Sequence, residues 1–186
     1  MADKLFLDFN GFHIDCLKLG KKILDSGYVP DMLVGIWRGG APVAVSVHQY
    51  LEYHGHKIDH MPIKTSAYAG VDKMKKDVKV WGLGYIYENT NKDTKLLLVD
   101  DVFDTGKSVK KIISIIREHM GDNAPKDIKI ATVYFKPKRN KTKLLPDFYI
   151  YRTDRWIVFP SEFEDLSKED IKNKFHGVYD LFNFSE

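Results

Sequence analysis

Two adjacent aspartates follow a run of apolar residues in the segment LLLVDDVFDTGKS, residues 96–108. The pattern is typical of a buried strand that ends in Asp100 and Asp101 and is followed by a tight turn and a helix. Paired carboxylates suit a sugar diol and a magnesium ion, and they would repel a bare phosphate. The turn DTGKS, residues 104–108, offers backbone N–H groups, hydroxyls and the start of a helix, which together suit a phosphate. The segment therefore predicts one site for phosphate, ribose and magnesium.

Two other interpretations use the same residues. Gly-Lys-Ser also occurs in the phosphate loop of P-loop nucleotide hydrolases, but that loop needs a glycine five positions before its final glycine. Asp101 occupies this position, which excludes a P-loop. The other interpretation is a strand, turn and helix that are acidic without a function. It is weak because a central strand has no packing reason to end in two aspartates.

The segments around this motif alternate between helix and strand patterns. The sequence predicts helices over residues 14–26, 41–54 and 109–120 and strands over residues 32–37, 58–63, 95–101 and 128–135. This alternation is typical of an α/β domain with a mainly parallel sheet and helices on both faces. In such sheets ligands bind outside the carboxyl ends of the strands, which is where the two aspartates stand.

The remaining segments have weaker patterns. Residues 64–84 are polar, lysine-rich and interrupted by glycines, and we expect a long mobile loop there that can end in an edge hairpin. The chain continues with a basic loop, a strand-like segment and an apolar run, at residues 138–143, 148–151 and 156–160. The basic loop is interpreted as solvated, or as a rim that attracts a polyanion. In the tail, Ser167 with Asp170 three positions later predicts a capping box and a short surface helix.

The composition is that of an ordinary globular protein. The chain has 186 residues, 44% hydrophobic and 30% charged, enough for one α/β domain with its own core. A formal net charge of +3 gives no nucleic-acid footprint, and no stretch approaches the length of a membrane span. The single cysteine, Cys16, is expected to be a buried bystander in a reducing compartment. No secretory signal is visible, so we expect a soluble cytoplasmic protein.

Four histidines lie within thirteen residues, at His48, His54, His56 and His60. They could suggest a metal site, but no cysteine accompanies them and they provide no fixed two-ligand pair on a helix. We expect solvated turn histidines instead.

The segment LLLVDDVFDTGKS resembles the phosphoribosyl-pyrophosphate signature of type I phosphoribosyltransferases. That signature has four apolar residues, two acids, two apolar residues, a variable position and then Thr-Gly-x-Ser/Thr, and every position matches. The resemblance implies that Asp100 and Asp101 hold the ribose hydroxyls and the associated magnesium ion. It also implies that the 5′-phosphate is bound by the turn, including Thr105, Gly106, Lys107 and Ser108.

The variable position of the signature is Asp104. Adenine, orotate and uracil enzymes of this family generally carry a residue without a carboxylate there, whereas hypoxanthine-guanine and xanthine-guanine enzymes carry Asp. The resemblance therefore implies the 6-oxopurine branch. A carboxylate beside the purine N7 can accept its proton while N9 attacks the sugar carbon. Asp104 can also act as the N-cap of the following helix, and the two roles are compatible.

Two more segments fit the family in the expected order. GIWRGG, residues 35–40, resembles the pyrophosphate loop, which makes Trp37, Arg38 and Gly39 candidate pyrophosphate ligands. A non-proline cis peptide of many relatives would fall at Trp37–Arg38. Lys136, at the end of a predicted strand, resembles the lysine that donates to the purine O6. A lysine has donors and no acceptor, so it suits a 6-oxo group and not the amino group of adenine.

Other candidate residues follow from the same resemblance. Trp156 resembles the aromatic side chain that stacks on the base, with Ile157 beside it, and a core or hood tryptophan is the alternative. Glu162 occupies about the place of an acid near a second magnesium ion. Ser66 and Tyr68 resemble the Ser-Tyr pair of the catalytic lid, although one residue separates them here. A closed lid would shield the reacting sugar from water.

The sequence as a whole predicts an α/β protein with the type I phosphoribosyltransferase fold over residues 1–186. We expect a small hood, mainly residues 138–165, to which the N-terminus can contribute, and a tail helix within 164–186. The expected activity joins phosphoribosyl pyrophosphate to hypoxanthine, guanine or xanthine with Mg²⁺, in a homodimer or homotetramer. The alternative is a regulatory protein of the same fold that senses phosphoribosyl pyrophosphate. Such regulators usually lack the base-site acid and lysine.

Overall fold

The computed structural model describes residues 4–69, 76–163 and 166–174, and these residues contain eight strands and five helices. The strands are β1 (Lys4–Phe6), β2 (Met32–Trp37), β3 (Asp59–Ala69), β4 (Lys76–Trp81), β5 (Lys95–Phe103), β6 (Asp127–Phe135), β7 (Phe148–Arg152) and β8 (Trp156–Val158). The helices are α1 (Phe9–Asp25), α2 (Gly40–Tyr53), α3 (Gly84–Asn89), α4 (Lys107–Met120) and α5 (Lys168–Lys174). A short 3₁₀ helix, Gly121–Asn123, follows α4.

Strands β2 to β7 form one sheet in the order β4-β3-β2-β5-β6-β7. All neighbouring pairs run parallel except β3 and β4, which are antiparallel at the edge. The predicted α/β architecture with a mainly parallel sheet is confirmed. Strand β5, which carries the two aspartates, lies in the interior of the sheet between β2 and β6. The carboxyl ends of these parallel strands meet at one edge, which places their loops together.

Apolar side chains on both faces of β5 explain its central position. Residues 96–99 of this strand have no exposed surface, as expected for a strand covered by helices on both sides. One face packs against α3 and α4, whose buried residues share a core with β2 and β5. The members from the two helices are Ile86, Val109, Ile112, Ile113 and Ile116. The spacing of the last four is the helix period that the sequence predicted.

The other face of the sheet is covered by α1 and α2. Gly35 of β2 lies under Ala44 of α2, and a β-carbon at position 35 would be only 2.8 Å from the Ala44 β-carbon. Gly20 of α1 packs in the same close way against Tyr50 of α2. Glycines at these two contacts let the helices approach the strand and each other. The predicted arrangement of helices on both faces is therefore observed.

The chain divides into a large unit, residues 13–154, and a small unit in which the described residues are 4–12, 155–163 and 166–174. In the small unit β1 and β8 pair in parallel, with Leu5 opposite Ile157. The predicted capping box begins α5: Asp170 N donates to Ser167 Oγ at 3.0 Å, and Ser167 N donates to Asp170 Oδ2 at 3.0 Å.

Two segments differ from the sequence prediction. The backbone of residues 64–69 and 76–81 is not loop but the antiparallel ladder of β3 and β4, which corresponds to the hairpin that the prediction allowed. The predicted mobility of residues 64–84 stays a prediction, and residues 70–75 of this segment lie outside the described residues. Residues 148–152, which the sequence placed in the hood, form β7, a strand of the large sheet that pairs with β6. Phe148 of this strand is buried, and its neighbour Tyr149 packs against the core cluster of the sheet.

Candidate active site

The acidic pair stands near the end of β5. Asp100 pairs with Thr132 of β6, and its Oδ1 atom accepts a hydrogen bond from Asp101 N at 3.0 Å. Asp101 in turn accepts from Val102 N at 2.7 Å. Burial raises the pKa of Asp100, and the adjacent carboxylate of Asp101 raises it further. A cation placed beside two neighbouring carboxylates would favour the ionised form of both.

The loop between β2 and α2 lies directly against this acidic pair. A β-carbon at Gly39 would overlap the Asp101 carboxylate, and one at Gly40 would lie 2.5 Å from Val99 O. Only glycines therefore allow this loop to reach the end of β5. The expected cis peptide bond occurs between Trp37 and Arg38.

Trp37 and Arg38 are exposed, and Gly39 is partly exposed. The three candidate pyrophosphate residues thus form an open loop beside the two carboxylates. A guanidinium in such a loop can donate hydrogen bonds to an anionic group.

The turn after β5 has the backbone of a phosphate-binding turn. Gly106 has a φ of 72°, in the left-handed region, and a β-carbon there would meet Thr142 Oγ1 at 2.6 Å. Helix α4 begins at Lys107 directly after this glycine. The first N–H groups of a helix have no partner within it, and they carry the positive end of the helix dipole. Thr105, Gly106, Lys107 and Ser108 are therefore arranged around a helix start that suits an anion.

Asp104 is not the N-cap of α4, which the sequence had allowed. The N-cap is Gly106, and no side chain caps it. The Asp104 carboxylate instead accepts a hydrogen bond from Arg139 Nε at 2.6 Å through Oδ1. Its other oxygen, Oδ2, lies 3.8 Å from Lys136 Nζ. The structure thus brings together the two residues that the sequence assigned to the base, and it adds a third, Arg139.

Lys136 is almost buried, with 8% of its side chain exposed. Burial lowers the pKa of Lys136, and the nearby Asp104 carboxylate opposes this effect. A buried ammonium group has few water molecules to donate to, so it favours a ligand that offers an acceptor. This is the environment expected of a group that selects a carbonyl oxygen.

The sequence signal for Arg139 was weak. It appeared only as one of several basic residues in the 138–143 loop, interpreted as solvated or as a rim for a polyanion. Its partner Asp104 is 35 positions away, and no periodicity connects the two. The relevant signal is the Lys-Pro at 136–137, because proline favours the tight turn that brings position 139 back toward the strand end.

The remaining candidate residues are described within their own elements. Trp156 and Ile157 lie on β8 in the small unit, with Trp156 45% exposed and Ile157 buried. In the same unit, Glu162 accepts a hydrogen bond from Phe159 N at 3.3 Å. Ser66 and Tyr68 belong to β3, where their backbones pair with Lys79 and Asp77 of β4. The base, metal and lid roles of these five residues stay predictions.

The cysteine and the histidines have ordinary structural roles. Cys16 is 1% exposed on α1, as expected, and burial raises its pKa to about 12. The sequence predicted solvated histidines, and for His48 this is wrong, because its side chain on α2 is buried. Its Nε2 atom lies 3.0 Å from Ile58 O, within hydrogen-bond distance. Among the described residues, no three His, Cys, Asp or Glu side chains are grouped to hold a metal ion. None of the described helices has the length and hydropathy of a membrane span.

Comparisons with known proteins agree with this geometry. The profile of the phosphoribosyl transferase domain matches residues 6–168. Xanthine phosphoribosyltransferase 1 of Saccharomyces cerevisiae is 23% identical over 203 residues, covering 94% of this chain and 97% of the yeast protein. A hypoxanthine-guanine phosphoribosyltransferase of Lactococcus lactis is 29% identical over 117 residues, covering 63% of this chain and 58% of that protein. The crystal structure of a purine phosphoribosyltransferase from Pyrococcus horikoshii matches with a TM-score of 0.65 and 30% identity, covering 89% of this chain and 98% of that one.

Proposed function

The chain belongs to the phosphoribosyl transferase domain family, and we propose that it is a purine salvage enzyme that transfers phosphoribosyl from phosphoribosyl pyrophosphate to a 6-oxopurine. One observation carries the choice of base: the Asp104 carboxylate and the buried Lys136 ammonium lie 3.8 Å apart, directly beside the turn that suits a phosphate. A proton acceptor and a hydrogen-bond donor at this separation are complementary to N7–H and O6, which are neighbours on one edge of a 6-oxopurine.

In the proposed reaction, N9 of the base forms a bond to the anomeric carbon of the ribose. The bond from that carbon to the pyrophosphate oxygen breaks, and pyrophosphate leaves with the electron pair. The proton on N7 passes to Asp104, which prevents a positive charge from accumulating on the purine. Lys136 donates to O6 and stabilises the negative charge that shifts toward this oxygen as N7 loses its proton. Hypoxanthine, guanine and xanthine all provide O6 and N7, so this pair accepts each of them.

Asp100 and Asp101 fit a magnesium ion. Magnesium prefers oxygen ligands and is often held by one or two carboxylates together with substrate phosphates, so two adjacent aspartates suffice. The two carboxylates would hold the ion with the ribose hydroxyls, and the ion would neutralise charge on the leaving pyrophosphate. Glu162 is proposed as the acid near a second ion.

Four groups of residues complete the proposed site. The helix start at 105–108 binds the 5′-phosphate, and the Trp37–Gly39 loop binds the pyrophosphate through Arg38 and backbone N–H groups. Trp156 and Ile157 contact the base, and Ser66 and Tyr68 belong to a lid that excludes water from the reacting sugar. Because the 186 residues contain a single cysteine, which fits a reducing compartment, the enzyme is proposed to act in the cytoplasm. It is proposed to form a homodimer or homotetramer.

A base panel tests this function. The protein is incubated with phosphoribosyl pyrophosphate, Mg²⁺ and hypoxanthine, guanine, xanthine or adenine, and both pyrophosphate and nucleoside monophosphate are measured. Formation of both products with at least one 6-oxopurine, and little with adenine, supports the proposal. Binding of phosphoribosyl pyrophosphate without turnover of any base would instead identify the regulatory alternative.

A further inference from the structure

The shortest side-chain contact of Asp104 is with Arg139, and the reaction proposed above assigns nothing to that arginine. Arg139 Nε donates to Asp104 Oδ1 at 2.6 Å. We propose that Arg139 is a positioning residue, which holds the Asp104 carboxylate by Oδ1 and leaves Oδ2 to accept the N7 proton of the base. This inference rests on the proposed function.

A tight turn brings Arg139 to this position. Arg139 N donates to Lys136 O at 3.2 Å, which closes the four-residue turn Lys136-Pro137-Lys138-Arg139. Proline at the second position favours this turn because its φ is already fixed near the required value. Lys136 and Arg139 therefore stand at the two ends of one rigid turn, and both reach the carboxylate of Asp104.

The backbone around Asp104 is held on both sides by the same segment. Lys136 N donates to Phe103 O at 2.9 Å, and Lys141 N donates to Thr105 O at 2.9 Å. These two bonds bracket Asp104, so its main chain has little freedom relative to Lys136. The terminal torsion of an aspartate side chain is intrinsically broad, and the backbone bonds do not restrict it. A hydrogen bond from Arg139 to one oxygen removes this freedom and fixes which oxygen faces Lys136.

Exposure separates the roles of the two cations. The Lys136 side chain is 8% exposed, whereas that of Arg139 is 51% exposed. A buried ammonium suits recognition of a desolvated base, and an exposed guanidinium suits holding a carboxylate from the solvent side. The hydrogen bond to Asp104 raises the pKa of Arg139, so the guanidinium keeps its charge throughout any usable pH range.

The test uses Arg139→Ala with Lys138→Ala as the matched control. Lys138 is an exposed cation in the same turn, and its backbone bonds Asp154 and not Asp104. We expect Arg139→Ala to lower kcat about tenfold or more, because a misdirected acceptor reduces the fraction of productive complexes. The KM for phosphoribosyl pyrophosphate should stay within about twofold, because the phosphate turn is unchanged. Arg139→Lys should recover part of the loss, and Lys138→Ala should match the wild type.

A double-mutant cycle with Asp104→Asn separates positioning from a general effect on the fold. If Arg139 acts through Asp104, Arg139→Ala should cause little further loss in the Asp104→Asn background. An unchanged kcat in Arg139→Ala would overturn the inference, and so would an equal loss in both backgrounds. Arg139→Gln, which keeps much of the side-chain length and a neutral donor, replaces Arg139→Ala if thermal melting shows that the alanine variant is unstable. Failure of the proposed function looks different, since the wild type would then turn over no 6-oxopurine.

Discussion

Gly39 lies so close to Asp101 that a β-carbon at position 39 would overlap the Oδ2 atom of that carboxylate. The loop after β2 and the acidic end of β5 are therefore fitted to each other, with no room for a side chain between them. This contact connects the proposed pyrophosphate loop to the proposed magnesium ligands.

We predict that Gly39→Ala weakens magnesium-dependent binding of phosphoribosyl pyrophosphate by about tenfold or more, because either the loop or Asp101 must move and such overpacking costs about 1–3 kcal/mol. Calorimetric titration measures the affinity. Gly84→Ala is the control, since Gly84 begins α3 and a β-carbon there has no atom within 4 Å. Equal affinities of the two variants would show that the loop adapts freely.

Asp104→Asn tests the proton acceptor. An amide cannot take the N7 proton, so kcat should fall by about 10²–10⁴-fold. The amide oxygen can still accept from Arg139, and the phosphate turn should keep its shape, so binding of phosphoribosyl pyrophosphate should change little. Steady-state kinetics and calorimetry measure the two quantities. Turnover within a few-fold of the wild type would remove Asp104 from the chemistry.

Asp100→Ala and Asp101→Ala test the metal and ribose ligands. Hydrogen bonds to charged groups contribute about 1.5–3 kcal/mol, so each variant should bind phosphoribosyl pyrophosphate about 10- to 100-fold more weakly in the presence of Mg²⁺. Asp122→Ala, which removes an exposed carboxylate beyond the far end of α4, is the control. If both site variants keep the affinity of this control, the ribose and metal are bound elsewhere.

Lys136 should determine the choice of base. Adenine offers an amino group where 6-oxopurines offer a carbonyl, which would leave two donors unpaired in a buried pocket. We expect the wild type to reject adenine by about a hundredfold or more in kcat/KM. Lys136→Ala should lose activity on hypoxanthine and guanine and lose most of this discrimination, whereas Lys138→Ala should keep both. Efficient use of adenine by the wild type would contradict the 6-oxopurine assignment.

Cys16 should be unreactive in the folded protein. Burial raises its pKa from 9.0 to about 12, so the thiolate fraction at pH 8 is roughly a thousandfold smaller than in the unfolded chain. Labelling with a chromogenic disulfide should therefore be at least roughly a hundredfold slower in buffer than in denaturant. Because the folded pKa is raised, the contribution of this thiol to stability is complete below pH 9.0 and is lost as pH rises toward about 12. Rapid labelling of the native protein would show that α1 opens readily.

The parts of the fold that were predictable are those with local signals. Strand β5 was visible because residues 96–99 are apolar on both faces, and the structure extends it by two residues because Val102 and Phe103 still pair with β6. Residues 64–69 and 76–81 form the ladder of β3 and β4, although their polar, lysine-rich pattern is typical of a solvated loop and predicts one. Edge strands carry such charges to avoid pairing with other molecules, so composition alone hides them.

In the candidate site, too, the residues with a local sequence signal were predictable and those without one were not. Asp100, Asp101 and Asp104 lie within one contiguous motif, and the residue order was enough to locate them. The contact between Asp104 and Arg139 joins two strand ends and depends on which strands are neighbours in the sheet. Because the order of the strands and the turn after β6 together determine this contact, the sequence alone did not predict it.

The two backbone hydrogen bonds from Lys136 to Phe103 and from Lys141 to Thr105 have a consequence for engineering the enzyme. Because these bonds join the segment that carries Lys136 to the turn proposed to bind phosphate, the two segments should be exchanged together in any redesign. A change of base preference transferred from a relative should succeed when residues 103–108 and 136–142 are grafted together. Grafting either stretch alone would leave mismatched main-chain partners on both sides of Asp104.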